Sequence, residues 1–271
     1  MLVMDESFDC WRLGKQPYDY HLSFAEWWQR DTESMVKRDR NHPSIILWSI
    51  GNEIPECSGI SDGYAWAHKQ ADLIRSLDST RPVTSALSLP SEQDWFSGEA
   101  DIDIAALFDV TNQDQRRPVP TDPASDYAGR VTRPFCEALD VVSYNYAYSR
   151  YDFDREHYPA RVLIGTETFP YRAYDTWRET ERHPHVIGDF VWTAWDYLGE
   201  SGIGKVDVGK LVPFFLAEVW PYHVAYCGDI DICGARRPQS HYRDLLWGVS
   251  GEPYIGVLDP HLYGEELKWT G

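Results

Sequence analysis

The sequence lacks two features that would place the protein in a membrane or on a nucleic acid. No stretch approaches the run of about 18 apolar residues that a membrane-spanning helix requires. Basic residues are scarce, since 25 lysines and arginines stand against 43 aspartates and glutamates and the net charge is −18. Binding to a phosphate backbone requires a basic surface. We therefore expect neither a membrane nor a nucleic acid as a partner.

Paired cysteines are also missing. The five cysteines are scattered, their number is odd, and no Cys-x-x-Cys pair occurs. This spacing supports neither a zinc ribbon nor a dithiol motif, so reduced and mostly buried thiols are expected. The segment Met1–Asp5 has no basic start and no cleavage site of a signal peptide, and it begins as a strand. The cellular compartment is left open by these observations.

Aromatic residues, by contrast, are abundant, with 12 tryptophans and 17 tyrosines. Sugar-binding clefts use such rings as flat apolar platforms, and large hydrophobic cores contain them as well. The 271 residues can bury a substantial core, and an α/β barrel of about 250 residues is a natural size for this chain. Composition is thus compatible with a carbohydrate-active enzyme without singling one out.

Short apolar runs alternate with stretches of helical periodicity. Six runs predict strands, at residues 1–4, 45–50, 82–86, 140–146, 162–166 and 186–195. Residues 24–36 place apolar side chains on one helical face, and Ser23 with Glu26 forms a capping box that predicts the start of this helix. Further helices are expected around residues 66–77, 174–180 and 240–247. This alternation predicts parallel βαβ units and an α/β fold.

The strand count limits the architecture. Residues 87–134 carry several prolines and no clear period, which predicts a long loop with short helical pieces. Six strands are two fewer than the eight of a closed (β/α)8 TIM barrel, so the chain forms either an open six-stranded sheet or an incomplete barrel. A start inside a strand favours the barrel without its first two βα units. We expect a partial barrel over residues 1–247 and the start of a further module in the tail, 248–271.

Two buried strands end in a carboxylate. The apolar run Ile45–Ile50 leads directly to Asn52 and Glu53, and the run Val162–Thr166 ends at Glu167 in the same way. The first acid alone could equally be a solvated strand end. The repetition favours a site, because the carboxyl ends of barrel strands meet where such folds keep their chemistry. We therefore expect both carboxylates to face one pocket.

Two carboxyl groups that face each other suit glycoside hydrolysis. One donates a proton to the leaving oxygen, and the other attacks the sugar or activates water. A separation of roughly 5 Å would mean a covalent intermediate and a retained anomeric configuration. The donor must stay protonated near neutral pH, which partial burial and a negative neighbour promote. Asn52 is placed to hydrogen-bond a sugar hydroxyl near the reacting carbon.

Three segments of the chain closely resemble glycoside hydrolase family 2, the β-galactosidase group. They are Asn41–Glu53, Val162–Glu167 and Gly188–Glu200. The motif from Arg38 to Glu53 is highly specific for this family. The resemblance extends over nearly the whole chain. In this family the acid/base glutamate follows Gly-Asn on the fourth barrel strand, and the nucleophile ends the seventh. Here the two acids follow the second and fifth strands, and this common offset of two is expected if two βα units are absent.

The resemblance also implies roles for individual residues. Glu53 matches the acid/base and Glu167 the nucleophile, while Tyr146 matches a tyrosine that hydrogen-bonds the nucleophile. Trp192 matches a tryptophan that lines the sugar subsite, although plain packing in the barrel core is nearly as good an explanation. Tyr146 could similarly be a buried hydroxyl with a structural partner.

Two more residues are candidates for substrate binding. Asn145 and Asp5 each follow or end a predicted strand, so each either contacts the sugar or caps the strand end.

The departures from the family pattern carry information too. Some β-galactosidases bind magnesium through a Glu and a His just after the third strand, and Ser7–Arg12 contains neither, so we expect no catalytic metal of that kind and no cofactor. β-Glucuronidases of the family use an Asn-x-Lys motif after the last strand, and Asp229–Arg237 lacks it. Family members also carry β-sandwich domains, and their first barrel strands contribute sugar-binding residues.

The sequence therefore predicts a retaining β-glycosidase that acts by double displacement, with a β-galactoside as substrate. One alternative is a non-catalytic or inactive fragment of such an enzyme. Another is a family member that acts on a mannoside, a glucuronide or another β-glycoside. The sequence leaves homo-oligomerisation, linkage and aglycone open.

Overall fold

The computed structural model describes residues 2–89, 122–208 and 222–269. These residues form two compact units. The first contains residues 2–89, 122–167 and 179–190, and the second contains residues 168–178, 191–208 and 222–269. Most of the predicted loop 87–134 lies outside the described residues. Among the described residues, no helix has both the length and the apolar character needed to cross a bilayer.

A six-stranded parallel sheet is the framework of the first unit. Its strands are β1 (Val3–Glu6), β2 (Ile45–Asn52), β3 (Val83–Leu87), β4 (Val142–Asn145), β5 (Leu163–Glu167) and β6 (Val186–Asp189). They lie side by side in chain order, and each pairs in parallel with the next. Sequential parallel pairing of this kind is the pattern of a (β/α)8 barrel. All six carboxyl ends therefore lie at the same end of the sheet.

Helices follow the strands. They are α1 (His21–Asp39), α2 (Gly63–Leu77), α3 (Tyr127–Cys136), α4 (Tyr151–His157), α5 (Ala173–Arg182) and α6 (Pro238–Leu246). Four of them, α1, α2, α5 and α6, lie where the periodicity predicts helices, whereas α4 was not predicted. Helices α1 and α2 pack against one another, and their buried residues join a core centred on Trp11, Phe24 and Trp48. Strand β2 is buried along most of its length, as its apolar run predicts.

The predicted start of α1 is wrong by three residues, since the N-cap is Tyr20 and not Ser23. The helix begins at His21, and the backbone N–H groups of Ser23 and Phe24 already donate to the carbonyl of Tyr20. Asp19 accepts the backbone N–H of His21 at 3.1 Å. The first turn thus finds its acceptor in Asp19, so the capping box of Ser23 and Glu26 is not the start of the helix.

Strand β6 is shorter than predicted. It ends at Asp189, and the backbone N–H of Phe190 makes a last hydrogen bond to Gly165 at 2.8 Å. The apolar and aromatic residues that follow belong to the second unit. An apolar run alone therefore overstated the strand, because aromatic residues also pack outside sheets.

The second unit contains two short antiparallel pairs. Strand β7 (Tyr197–Leu198) pairs with β9 (Val224–Ala225), and β8 (Val206–Val208) pairs with β10 (Leu267–Trp269). The tail therefore returns to an earlier strand of the same unit, and the division between units does not fall at residue 247. That residues 248–271 open a further module stays a prediction.

The loop between β1 and α1, residues 7–20, is fixed by hydrogen bonds instead of regular structure. The Glu56 carboxylate accepts the backbone N–H groups of Arg12 and Leu13, both at 2.9 Å. The fully buried Trp11 donates from its indole to the carbonyl of Ile50 at 2.9 Å. The loop is thereby held against the carboxyl end of β2.

A buried ion-pair network ties α3 to α4. Arg150 donates to both oxygens of Asp126 at 2.9 and 2.8 Å and to Asp154 at 3.1 Å. Asp126 and Asp154 are fully buried, and Tyr158 donates to Asp126 at 2.7 Å. Two carboxylates in this environment depend on the guanidinium for their charge balance.

Replacing Arg150 should therefore destabilise the fold strongly. Arg150→Ala leaves the buried Asp126 without its cation and leaves Asp154 with only the longer ion pair to Arg161, so we expect a loss of about 3–5 kcal/mol in the free energy of unfolding. The control is Arg133→Ala, which removes an exposed i,i+4 pair with Glu137 and should cost no more than about 0.5 kcal/mol. Urea unfolding of both variants measures the difference. Equal losses would contradict a structural role for the buried network.

Candidate active site

Glu53 and Tyr146 leave their strands through the same unusual backbone conformation. Glu53 has φ 46° and Tyr146 has φ 57°, both in the left-handed region that residues with a side chain rarely adopt. Each is nevertheless held by a strand neighbour, since Glu53 N donates to Ala86 at 2.7 Å and Tyr146 N donates to Glu167 at 2.9 Å. Backbone strain that the surrounding structure maintains is typical of functional sites.

The amide of Asn145 joins three residues from neighbouring strand ends. Its Nδ2 donates to Asn52 Oδ1 and to Glu53 Oε1, both at 3.1 Å. Its Oδ1 accepts from the hydroxyl of Thr166 at 2.6 Å. The residue is fully buried, so these bonds satisfy a side chain that water does not reach. The structure thus brings Asn52, Glu53 and Asn145 together.

The loop 7–20 fixes the other side of Asn52. Asn52 Nδ2 donates to Asp9 Oδ1 at 3.0 Å, and Lys15 Nζ donates to the same oxygen at 2.9 Å and to the Asn52 carbonyl at 3.0 Å. An ionised carboxylate only accepts hydrogen bonds. Asp9 therefore requires the amide nitrogen of Asn52 to face it, which turns Oδ1 towards Asn145. These bonds connect Lys15 to Glu53 through Asp9, Asn52 and Asn145, and we call this chain of residues the amide relay.

Tyr146 holds the second acid. Its hydroxyl donates to Glu167 Oε2 at 2.6 Å. Burial and then the negative charge of Glu53 raise the pKa of Glu167 to about 8, while the hydrogen bond from Tyr146 acts in the opposite direction. The two carboxylates are therefore close enough to oppose each other's ionisation. A coupled pair of this kind holds one proton near neutral pH.

The hydrogen bond from Tyr146 favours the ionised form of Glu167, whereas burial and the charge of Glu53 act more strongly in the opposite direction and raise its pKa. Asn145 donates to Oε1 of Glu53, so a proton on this residue belongs on Oε2. Double displacement requires one ionised carboxylate and one proton donor, and the site contains two carboxyl groups for these roles.

Glu6 is a third acid that the sequence analysis did not select. Ser49 donates to Glu6 Oε2 at 2.6 Å. Burial raises the pKa of Glu6 to about 7, and the charges of Asp9 and Glu53 add to the shift. Asp5, which was selected, lies instead beside Asp39 of α1, and burial together with Asp39 raises the pKa of Asp5 to about 6.

Neighbouring residues on a strand point to opposite faces, which explains why Glu6 and not Asp5 lies near Glu53. The pair Asp-Glu at the end of β1 does not itself say which acid faces the site. The two loop residues of the amide relay, Asp9 and Lys15, were also missed. In the sequence, the only sign of their role is that both follow β1. This strand pairs with β2, and Asn52 ends β2.

Trp192 belongs to the second unit and Glu167 to the first. Its backbone N–H donates to Thr168 at 3.0 Å, and its ring meets Phe169 edge-on with centroids 6.1 Å apart. Both contacts lie within the second unit. A contact between Trp192 and a sugar stays a prediction.

The sequence model described as "Glycosyl hydrolases family 2, TIM barrel domain" matches residues 23–191, which include both acids. The chain belongs to glycosyl hydrolase family 2. This confirms the predicted family and the predicted fold class, because the six parallel strands of the first unit are part of the family's TIM barrel.

Relatives agree with this family assignment. A family 2 glycosyl hydrolase from Bacteroides cellulosilyticus, a solved structure, is 37% identical with a TM-score of 0.68 over 91% of this chain and 26% of its own. "Beta-galactosidase BoGH2A" of Bacteroides ovatus is 27% identical over 86% of this chain and 30% of its own length. "Putative beta-glucuronidase" of Formosa agariphila is 27% identical over 99% of this chain and 25% of its own length. The chain thus spans less than a third of each of these relatives.

The raised pKa of Glu167 makes stability depend on pH. A carboxyl group with a higher pKa in the folded chain stabilises the fold while protonated, and that contribution is lost as the pH rises through about 8. Glu167→Gln keeps the shape and removes the charge that faces Glu53. We expect the variant to be more stable than the original chain by about 1–3 kcal/mol at about pH 8 and close to it at about pH 5.

Thermal or urea unfolding at the two pH values tests this expectation. Glu26→Gln, at an exposed position on α1, is the control for the loss of one negative charge. If Glu26→Gln shifts stability by the same amount with the same pH dependence, the effect belongs to net charge and the buried pair is not its source.

Proposed function

We propose that this chain carries the acid/base and the nucleophile of a retaining β-glycosidase. The observation that supports it most directly is a pair of hydrogen bonds, from Asn145 to Glu53 and from Tyr146 to Glu167. They hold two electrostatically coupled carboxylates at the carboxyl ends of β2 and β5. Glu53 acts as acid/base and Glu167 as nucleophile.

The reaction follows from these positions. Glu167 attacks the anomeric carbon while Glu53 gives the proton on Oε2 to the leaving oxygen, and a glycosyl-enzyme ester forms. Glu53, now ionised, then takes a proton from water, which attacks the same carbon and releases Glu167. Tyr146 stabilises the departing carboxylate of Glu167. Asn52, held by Asp9 and Asn145, is oriented to hydrogen-bond a sugar hydroxyl.

We further propose that the substrate is a β-galactoside. The name of the Bacteroides ovatus relative supports this sugar, and the name of the Formosa agariphila relative makes a β-glucuronide the second candidate. Charge favours the neutral sugar. Glu6, Asp9, Glu53 and Glu167 interact with one another around Lys15, and a sugar carboxylate would be repelled there. A β-mannoside remains compatible with the same charge pattern.

A panel of aryl β-glycosides separates the alternatives. Turnover of the galactoside by the purified chain would support the proposed substrate, whereas preference for the mannoside or glucuronide would replace it. The chain covers a quarter to a third of its relatives' lengths. A chain without activity on every glycoside of the panel would favour the non-catalytic fragment.

Two variants test the division of roles, in the longest polypeptide that shows activity. Glu167→Gln should reduce turnover of every substrate to background, because no nucleophile remains. Glu53→Ala should cost about 10²–10⁴-fold with poor leaving groups and far less with dinitrophenyl glycosides, which leave without a proton. A uniform loss across leaving groups in Glu53→Ala would remove Glu53 from the acid role.

The amide relay gives a separate prediction. Asp9→Asn removes the group that fixes the direction of Asn52, so Glu53 is less firmly held and turnover of poor leaving groups should fall about tenfold or more. In a Glu53→Ala background the same change should cost nothing further, because the relay has lost its end point. The control is Asp72→Asn on the exposed face of α2. An undiminished cost in the double variant would mean that Asp9 acts on the loop and not on Glu53.

A further inference from the structure

A cluster of reactive side chains lies where the loop 7–20 leads into α1. Its members are Cys10, Asp19 and His21, and their thiol, carboxylate and ring-nitrogen atoms all lie within 4.8 Å of one another. Cys10 is 1% exposed, whereas the side chains of Asp19 and His21 are 21% and 23% exposed. The thiol thus lies at the inner side of the cluster, and the other two groups border solvent.

We propose that Cys10, Asp19 and His21 bind a divalent transition metal, Zn²⁺ by its chemistry, with water completing the coordination. Thiolate sulfur, imidazole nitrogen and carboxylate oxygen are the three donor types that zinc uses in proteins. Sites of three protein ligands and one water are a common zinc arrangement. The site uses neither Glu53 nor Glu167, and the proposal is independent of the glycosidase mechanism.

The carboxylate of the cluster is oriented before any ion arrives. Asp19 Oδ2 accepts the backbone N–H groups of Lys15 and Gln16, both at 2.8 Å, and Oδ1 accepts that of His21 at 3.1 Å. Outer hydrogen bonds of this kind hold the first ligands of metal sites in place. Nδ1 of His21 faces Oδ1 of the same carboxylate.

Glycine at position 14 gives the imidazole its space. A Cβ atom there would lie 2.4 Å from Nδ1 of His21. Any larger residue would displace the ring, so the loop backbone and the position of the His21 imidazole are matched.

Binding of an ion changes the protonation of the thiol. The S–H bond of Cys10 breaks, a sulfur–zinc bond forms, and the proton passes to solvent. The ion would supply positive charge between the thiolate and the carboxylate of Asp19.

Another cluster of potential metal ligands differs from this one in its charge balance. Asp152, Glu179 and His183 also bring three potential ligands within 4.8 Å. Arg182 makes ion pairs with both carboxylates, at 3.0 Å to Glu179 and at close range to Asp152. Its guanidinium already supplies the positive charge that a metal would bring, so we assign no ion to this cluster.

Titration of the purified chain with Zn²⁺ in the presence of a chromogenic chelator tests the proposal. We expect one tightly bound ion per chain. Cys10→Ser and His21→Gln should each weaken binding at least tenfold. Cys233→Ser, which removes an exposed thiol, is the matched control and should leave it unchanged.

Co²⁺ substitution gives a second readout that does not depend on affinity. The original chain and Cys233→Ser should show a thiolate-to-cobalt charge-transfer band, and Cys10→Ser should lose it while its circular dichroism stays that of a folded chain. The proposal is overturned if less than one ion binds per chain, or if Cys10→Ser binds as tightly as the control. In either case the cluster is only a hydrogen-bonded brace of the loop.

Discussion

The buried amide of Asn145 is the interaction on which the carboxyl end of the sheet depends. Its two N–H bonds and its carbonyl are all committed, to Asn52, Glu53 and Thr166. A buried amide with an unmet donor costs about 1–3 kcal/mol, so no alternative rotation of this side chain is favourable. Because Asn145 ends β4 and its partners come from β2 and β5, satisfying one side chain aligns three strand ends. The position of Glu53 thus follows from a hydrogen-bonding requirement of the sheet itself.

This arrangement concentrates unfavourable electrostatics, and the rest of the first unit offsets it. Glu6 and Glu167 are both harder to ionise in the folded chain than in water, and Glu53 and Tyr146 adopt left-handed backbone angles. Such features destabilise the fold and persist only where other interactions over-determine the geometry. The buried core centred on Trp11, Phe24 and Trp48, and the ion-pair network of Arg150 provide that surplus. Stability and catalytic geometry are therefore in opposition within one small unit.

From the sequence, the strands that end at Glu53 and Glu167 could be predicted, whereas the residues that surround these acids could not. A short apolar run followed by Gly-Asn-Glu determines a buried parallel strand and its carboxyl end, since both depend on local composition. The choice between Asp5 and Glu6 depends on which face of β1 meets the site, and the sequence does not state it. The start of α1 was misplaced because Asp19 competes with Ser23 for the first turn. Asp9 and Lys15 were missed because a loop's fold depends on distant acceptors such as Glu56.

The loop 7–20 is as important as the strands for the geometry of this end of the sheet. Residues 7–20 contain no helix or strand, so each ordered residue must be held by side-chain hydrogen bonds or by burial. Glu56 fixes its middle, Asn52 fixes Asp9, and Asp19 gathers the backbone that leads into α1. A displacement anywhere along the loop would therefore reach Asn52 within one or two hydrogen bonds. The strands determine where the two acids are, and the loop determines how firmly the amide relay holds the side chain of Glu53.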